Sequence, residues 1–222
     1  MIRRGILSKE YRLLNLTLSA VIARALVLLV AFPAHEGAHA VVADRLGDPT
    51  PRRAGRMTWN PIKHLDLVGS LLFLAFGFGW ASTPVDPARL GRRNMALVSI
   101  AGPVANLLVA VLLALPARYV LASPTLRNMF GYGEIFPSLG TIMFNMVYLN
   151  LLLFMFNLLP LPPLDGFSIL MGIVPYSVAQ PLAKVGQFGP LLLFGIILLV
   201  PGFLSSVLGP PLNFLTRLLL GL

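Results

Sequence analysis

Residues 25–43 read ALVLLVAFPAHEGAHAVVA, an apolar run broken only by His35, Glu36 and His39. About 20 apolar residues in a helix cross the roughly 30 Å of hydrocarbon in a bilayer. The stretch therefore predicts a membrane-spanning helix. The three ionisable groups inside it demand a reason, since each costs about 2.5 to 3.5 kcal/mol at the bilayer centre on insertion scales. His35 and His39 lie four apart, so they stack on one helix face and can share a metal ion. Glu36 sits beside them, where a carboxylate can take the proton of an activated water; the spacing is the H-E-x-x-H pattern of zinc hydrolases.

The rest of the chain agrees with a membrane reading. Its 222 residues are 57% hydrophobic and 11% charged, with a mean hydropathy of +0.83, whereas soluble domains carry about 25% charged residues. A water-soluble globule is excluded. Further spans are expected over Asn94–Ala117, Leu139–Leu161 and Phe188–Leu208. The stretch 69–81, GSLLFLAFGFGWA, is too short to cross and is flanked by arginines on both sides, so it should dip in and return on the same face. Residues 6–23 place Leu7, Tyr11, Leu14, Leu18 and Ile22 on one helix face and Ser8, Arg12, Asn15 and Ser19 on the other, the pattern of an interfacial helix; a first span is the competing reading. The tail Pro210–Leu222 reads as a second surface helix or as a packed terminal segment. The expected fold class is an all-α polytopic membrane protein with about four transmembrane helices, a short re-entrant hairpin and an N-terminal interfacial amphipathic helix. One domain, 1–222, would comprise the interfacial helix (1–24), a catalytic core (25–170) and a C-terminal span and tail (171–222).

The 17 Lys+Arg against 8 Asp+Glu give a net charge of +9. Basic loops flanking spans, drawn to lipid headgroups, account for this without a nucleic-acid partner. The arginine-rich connections around the hairpin place that side in the cytoplasm by the positive-inside rule. No small-residue cleavage site ends the first apolar run, so no cleaved signal peptide is expected. With no cysteine in the chain, any metal must be held by His and carboxylates.

Two histidines leave a catalytic zinc one protein ligand short. The candidates for the third are Asp44, Asp48, His64, Asp66, Asp86, Glu134 and Asp165, and all but Asp165 lie in polar connections. Asp165 follows the third expected span in FNLLPLPPLDG (156–166). There Pro160, Pro162 and Pro163 stop the helix and leave an extended strand that can turn a carboxylate back into the bilayer. A helix cap is the alternative role for Asp165. His64 and Asp66 in NPIKHLD are the runner-up pair, read as ordering their loop.

HEGAHA (35–40), GDPTPRRAGRMTWNPIKHLDLVGS (47–70), FGFGWA (76–81), AGPVAN (101–106) and FNLLPLPPLDG (156–166) together resemble the site-2 protease family of intramembrane zinc metalloproteases, in its short prokaryotic form, over about residues 30 to 170. The resemblance implies that His35, His39 and Asp165 bind Zn2+ and that Glu36 is catalytic. It implies a multi-pass protein of the cell (inner) membrane with its active site toward the cytoplasm. Its partners would be the lipid bilayer and single-span substrates such as anti-sigma factors or membrane-tethered transcription factors, cut by regulated intramembrane proteolysis. The PDZ and CBS modules of many relatives are not expected here: the loop 118–138 is too short for the first and the C-terminal end too close for the second.

Two asparagines are candidate substrate-binding residues. Asn157 precedes the proline break, where its amide could hold a scissile carbonyl or an extended substrate strand, as the family pattern supports. Asn106 shares a small-residue face with Gly102, Ala110 and Ala114 and reads equally as interhelical glue; Asn150 reads as structural. The rival function is a membrane zinc carrier or sensor, which explains the ligands. It gives no reason for Glu36, and it wants polar residues across the membrane that FGPLLLFGIILLVPGFLSSVL (188–208) lacks.

Overall fold

The computed structural model describes residues 18–76, 79, 81–131, 136–200 and 202–222. Every regular element among them is helical: α1 (Leu18–Arg45), α2 (Leu67–Phe76), α3 (Pro87–Ala122), α4 (Leu139–Asn157), α5 (Asp165–Ile173), α6 (Tyr176–Gly186), α7 (Gly189–Leu199) and α8 (Phe203–Leu220), with short turns at Thr50–Arg53, Pro61–Lys63 and Pro124–Asn128. Four of them, α1 from Val21, α3, α4 and α8, are long and apolar enough to cross a membrane.

The bundle is organised around α3, which packs on α1, α4 and α5. Its small and polar positions face inward: Gly102, Asn106, Ala110, Ala114 and Ala117 are buried, while Leu108, Leu112 and Leu115 are exposed. A helix of a soluble protein has this the other way round; in lipid, small residues let backbones approach and the leucines face acyl chains. Ala110 and Ala117 pack with Phe144, Val147 and Leu151 of α4 and with Leu212 and Leu220 of α8. A second cluster joins Val27, Leu28, Ala31 and Phe32 of α1 to Phe73 of α2 and Leu149 of α4.

Over 69–81 the chain folds back on itself, as a hairpin requires; residues 77, 78 and 80 lie outside the described ones. Helix α2 has ten residues, about 15 Å of rise and half a bilayer. Phe73 meets Phe32 edge-on with centroids 5.1 Å apart. Arg24 of α1, 5% exposed, donates from Nη1 to Leu74 O and Ala75 O, both at 2.9 Å. These last-turn carbonyls have no helical partner and would otherwise stand bare in hydrocarbon. The returning chain lies directly on α2: a Cβ at position 79 would stand 2.0 Å from Gly69 O and 2.8 Å from Phe73 Cβ, so only glycine fits. From Ala81 to Asp86 the chain runs without helix until Asp86 caps α3 by accepting from Ala88 N at 3.0 Å.

Four expectations need correction or restriction. The interfacial helix over 6–23 lies outside the described residues as far as 17, and 18–23 already belong to α1. Helix α4 ends at Asn157, not Leu161, and 158–164 is a run of tight turns, with Leu161 N bonded to Leu159 O and Leu164 N to Leu161 O, instead of an extended strand. The span expected over Phe188–Leu208 is not one helix. Its first part, α7, has eleven residues and meets α6 at 71°, and Gly202 at φ 81 breaks the chain before α8. The tail is therefore no surface helix: Leu208, Leu212, Thr216 and Leu220 of α8 are buried at four-residue spacing, and Pro210 and Pro211 are accommodated inside the helix.

Candidate metal centre

His35 and His39 sit in the second half of α1, facing α3 and the start of α5. Their rings meet edge-on with centroids 4.6 Å apart. Asp165, in the first turn of α5, is brought to them by the reversal after α4, and its Oδ2 stands 3.1 Å from His35 Nε2 and 3.4 Å from His39 Nε2. That reversal is tight enough that a Cβ at Gly166 would come within 2.3 Å of Leu158 O, which explains the Asp-Gly pair.

The hydrogen-bond network assigns the protons. His39 Nδ1 lies 2.8 Å from Val98 O, which only accepts, so that nitrogen carries the hydrogen. Asn106 donates through Nδ2 to Ala31 O at 3.1 Å and to Asn150 Oδ1 at 3.2 Å. Its Oδ1 must then be the atom 2.7 Å from His35 Nδ1, and that nitrogen also carries its hydrogen. In the neutral rings both Nε2 atoms are bare lone pairs aimed at a carboxylate oxygen. Three acceptors converging this closely, two of them on buried rings, repel one another unless a proton or a metal cation lies among them.

A metal fits this demand. The three ligand atoms lie within 4.8 Å of one another. Donors about 2.0 to 2.1 Å from a tetrahedral zinc stand about 3.3 to 3.4 Å apart, and the observed 3.1 and 3.4 Å match. Space is left by Gly102 of α3, where a Cβ would come within 2.4 Å of His39 Nε2 and 2.6 Å of His35 Nε2. Three protein ligands leave a fourth position open, the arrangement of catalytic zinc sites.

Glu36, 5% exposed, does not join the ligand group. Its Oε2 accepts from Thr83 Oγ1 at 2.7 Å, and the same hydroxyl lies 3.0 Å from Glu36 O. All four residues line a cavity of about 580 Å³ whose walls are mostly apolar, among them Phe32, Met95, Phe156 and Phe194, and which also takes in Asn157 and the stretch Ala81–Thr83.

The remaining third-ligand candidates have other partners. Asp44 accepts from Arg52 Nε at 2.8 Å, Asp86 caps α3, and Asp66 caps α2 by accepting from Gly69 N at 2.8 Å. Asp48, fully buried, accepts from Thr50 N at 3.0 Å and from Asp86 N at 2.7 Å. Burial pushes its carboxyl up, but these bonds and the Thr50 hydroxyl outweigh that and hold it below the usual value. His64 is fully buried and bonded to Thr58 O at 2.7 Å, apart from the group. Glu134 lies outside the described residues.

Asn157 faces the cavity, with Nδ2 bonded to Leu153 O at 3.0 Å. Asn106 is 0% exposed, and both hydrogens of its amide are committed. It is bonded to His35, ties α3 to α1 and α4 as interhelical glue would, and also lies on the wall of the same cavity. Thr83 and the Val98 carbonyl escaped the sequence reading: the first lies in a connection without a motif, and the second is main chain.

The chain is 40% identical over 191 residues to YwhC of Bacillus subtilis, a protein provisionally named a zinc metalloprotease, a match covering 85% of this chain and 84% of that one. Two proteins with the same provisional description, Rip2 of Mycolicibacterium smegmatis and Rip2 of Mycobacterium tuberculosis, are 32% and 31% identical over 180 and 185 residues. These matches cover 78% and 80% of this chain, and 65% and 66% of the relatives. No family model and no solved structure matches the chain.

Proposed function

The chain belongs to the site-2 protease family of membrane zinc metalloproteases, and from that premise we propose that it is an intramembrane endopeptidase, hydrolysing a peptide bond in or near the transmembrane segment of a single-span, membrane-anchored protein. The observation that supports this most is a buried carboxylate, Glu36, beside the His35, His39 and Asp165 group at the wall of an apolar cavity among spanning helices.

In this reading His35, His39 and Asp165 hold the zinc. When bound, zinc supplies Lewis-acid polarisation of a carbonyl and lowers the pKa of water toward about 7. Glu36 takes the proton of the attacking water and returns it to the leaving amine nitrogen. A peptide bond inside a substrate helix is shielded by its own hydrogen bonds, so the helix must unwind before attack. The non-helical stretch 81–85, of which Ala81, Ser82, Thr83 and Val85 line the cavity, offers backbone groups with which an unwound strand can pair, and Asn157 offers an amide to hold it. Arg45, Arg52, Arg53 and Arg56 after α1, with Arg89, Arg92 and Arg93 at the start of α3, support an opening toward the cytoplasm. Membrane-tethered regulators such as anti-sigma factors or transcription factors are the substrate class.

The test is metal content of the purified protein together with cleavage of a library of single-span segments. The wild type should hold about one zinc per chain and cleave. Glu36→Gln should fold, keep its zinc and lose cleavage by about 10²- to 10⁴-fold, the usual worth of a general base. Asp165→Ala should lose zinc while Asp66→Ala keeps it. Full activity in Glu36→Gln removes the protease reading, and zinc carried into vesicles without cleavage replaces it with a carrier.

A further inference from the structure

Thr83 lies on the stretch Ala81–Asp86, between the hairpin and α3, and contacts α1 at one residue. Its hydroxyl has a single hydrogen and two acceptors, Glu36 Oε2 at 2.7 Å and Glu36 O at 3.0 Å. The carboxylate is the shorter and the charged partner, so it takes the larger share. Among the described residues no other side chain donates to this carboxylate. A glutamate terminus rotates broadly about its last torsion, and the bond from the Thr83 hydroxyl is the one hydrogen bond among the described residues that fixes the carboxylate of Glu36.

We propose that Thr83 is a positioning residue for Glu36: its hydroxyl holds Oε2 and so leaves Oε1 as the oxygen that receives the water's proton. This rests on the protease reading of Glu36. The support is anchored at both ends. Gly79 is seated on Gly69 O and Phe73, and Asp86 N is bonded to buried Asp48 Oδ2 at 2.7 Å. Thr83 is thus presented by a fixed segment, and that segment also lines the cavity in which substrate would rest. Alignment of the base is therefore set by the wall that the substrate touches.

Thr83→Val keeps the shape and removes the donor; Thr83→Ser keeps the donor. In the full-length protein, Thr83→Val should retain about one zinc per chain and a KM within about twofold, with kcat lowered by about 10- to 100-fold, the worth of one hydrogen bond to a charged group. Thr83→Ser should keep kcat within about threefold. A readout independent of turnover is the carboxylate stretch of Glu36 in the metal-free protein, isolated as the infrared difference between wild type and Glu36→Gln. It should shift in Thr83→Val and stay in Thr83→Ser. Equal kcat in Val and Ser variants, or an unmoved stretch in Thr83→Val, overturns the assignment. Should Thr83→Val fail to fold, Thr83→Ala takes its place and is judged by the same two outcomes. A wild type that cleaves nothing defeats the protease reading alone, because the infrared comparison still decides whether Thr83 holds Glu36.

Discussion

Asn106 accepts the Nδ1 hydrogen of His35 at 2.7 Å, across 71 residues of chain, and donates back to Ala31 O one turn earlier on the same helix. One amide thus fixes both the ring and the helix that carries it. Metal-ligating histidines depend on such a partner for tautomer and orientation, and its loss typically costs 10- to 100-fold in metal affinity. Asn106→Ala should therefore fold and bind zinc about 10- to 100-fold more weakly in a chelator competition. Unchanged affinity would remove the orienting role.

Gly102 makes a prediction of unusual sign. Gly→Ala inside a helix ordinarily stabilises by about 0.5 to 1 kcal/mol. Here the added methyl would sit 2.4 to 2.6 Å from the two Nε2 atoms. Gly102→Ala should keep the helical content of the wild type yet purify with little zinc, although no ligand has been changed. Stoichiometric zinc in that variant would show that the metal sits elsewhere.

The hairpin predicts a topology and a clamp. Tags near residues 55 and 88 should report the same side of the membrane, because α2 is too short to cross. Arg24→Leu should leave α1 inserted but free Leu74 O and Ala75 O. Cysteines introduced at 82 or 84 should then react faster with a water-soluble reagent than in the parent. Labelling of the two tags from opposite sides, or unchanged reactivity, would contradict this.

Asp48 gives the pH dependence. Its carboxyl is held below its unfolded value of about 3.9, so it stabilises the fold above that value. The contribution is lost as pH falls through the lower folded value. Lowering the pH from neutral toward 3 should reduce the melting temperature in detergent more for the wild type than for Asp48→Asn. The variant should also be less stable at neutral pH, by about 1 to 3 kcal/mol, because a buried bond to Thr50 or Asp86 goes unmade. Parallel pH curves would argue against it.

The end of the molecule that carries His35, His39 and Asp165 was legible because its signals are local. His35 and His39 declare a shared face by spacing alone, Gly102 and Asn106 do the same on α3, and Pro160 marks the reversal that carries Asp165. The C-terminal end was harder. In α8, Pro210 and Pro211 argue locally for a break, and packing of Leu212 and Leu220 against Phe144 and Leu151 overrides them. Between α7 and α8 the apolar residues on both sides outweighed the Pro201-Gly202 signal that marks the turn. Thr83 could not be found in this way at all, since its partner is 47 residues distant and neither residue's neighbours announce the pairing.

The two histidines differ in how they are supported, His39 by the main-chain carbonyl of Val98 and His35 by the side chain of Asn106. A carbonyl is supplied by whatever residue occupies the position, so no single replacement at 98 deletes it, whereas one codon change at 106 does. The site is therefore mutationally lopsided. A single substitution can unseat His35 through its neighbour, whereas His39 keeps its acceptor whichever residue stands at 98.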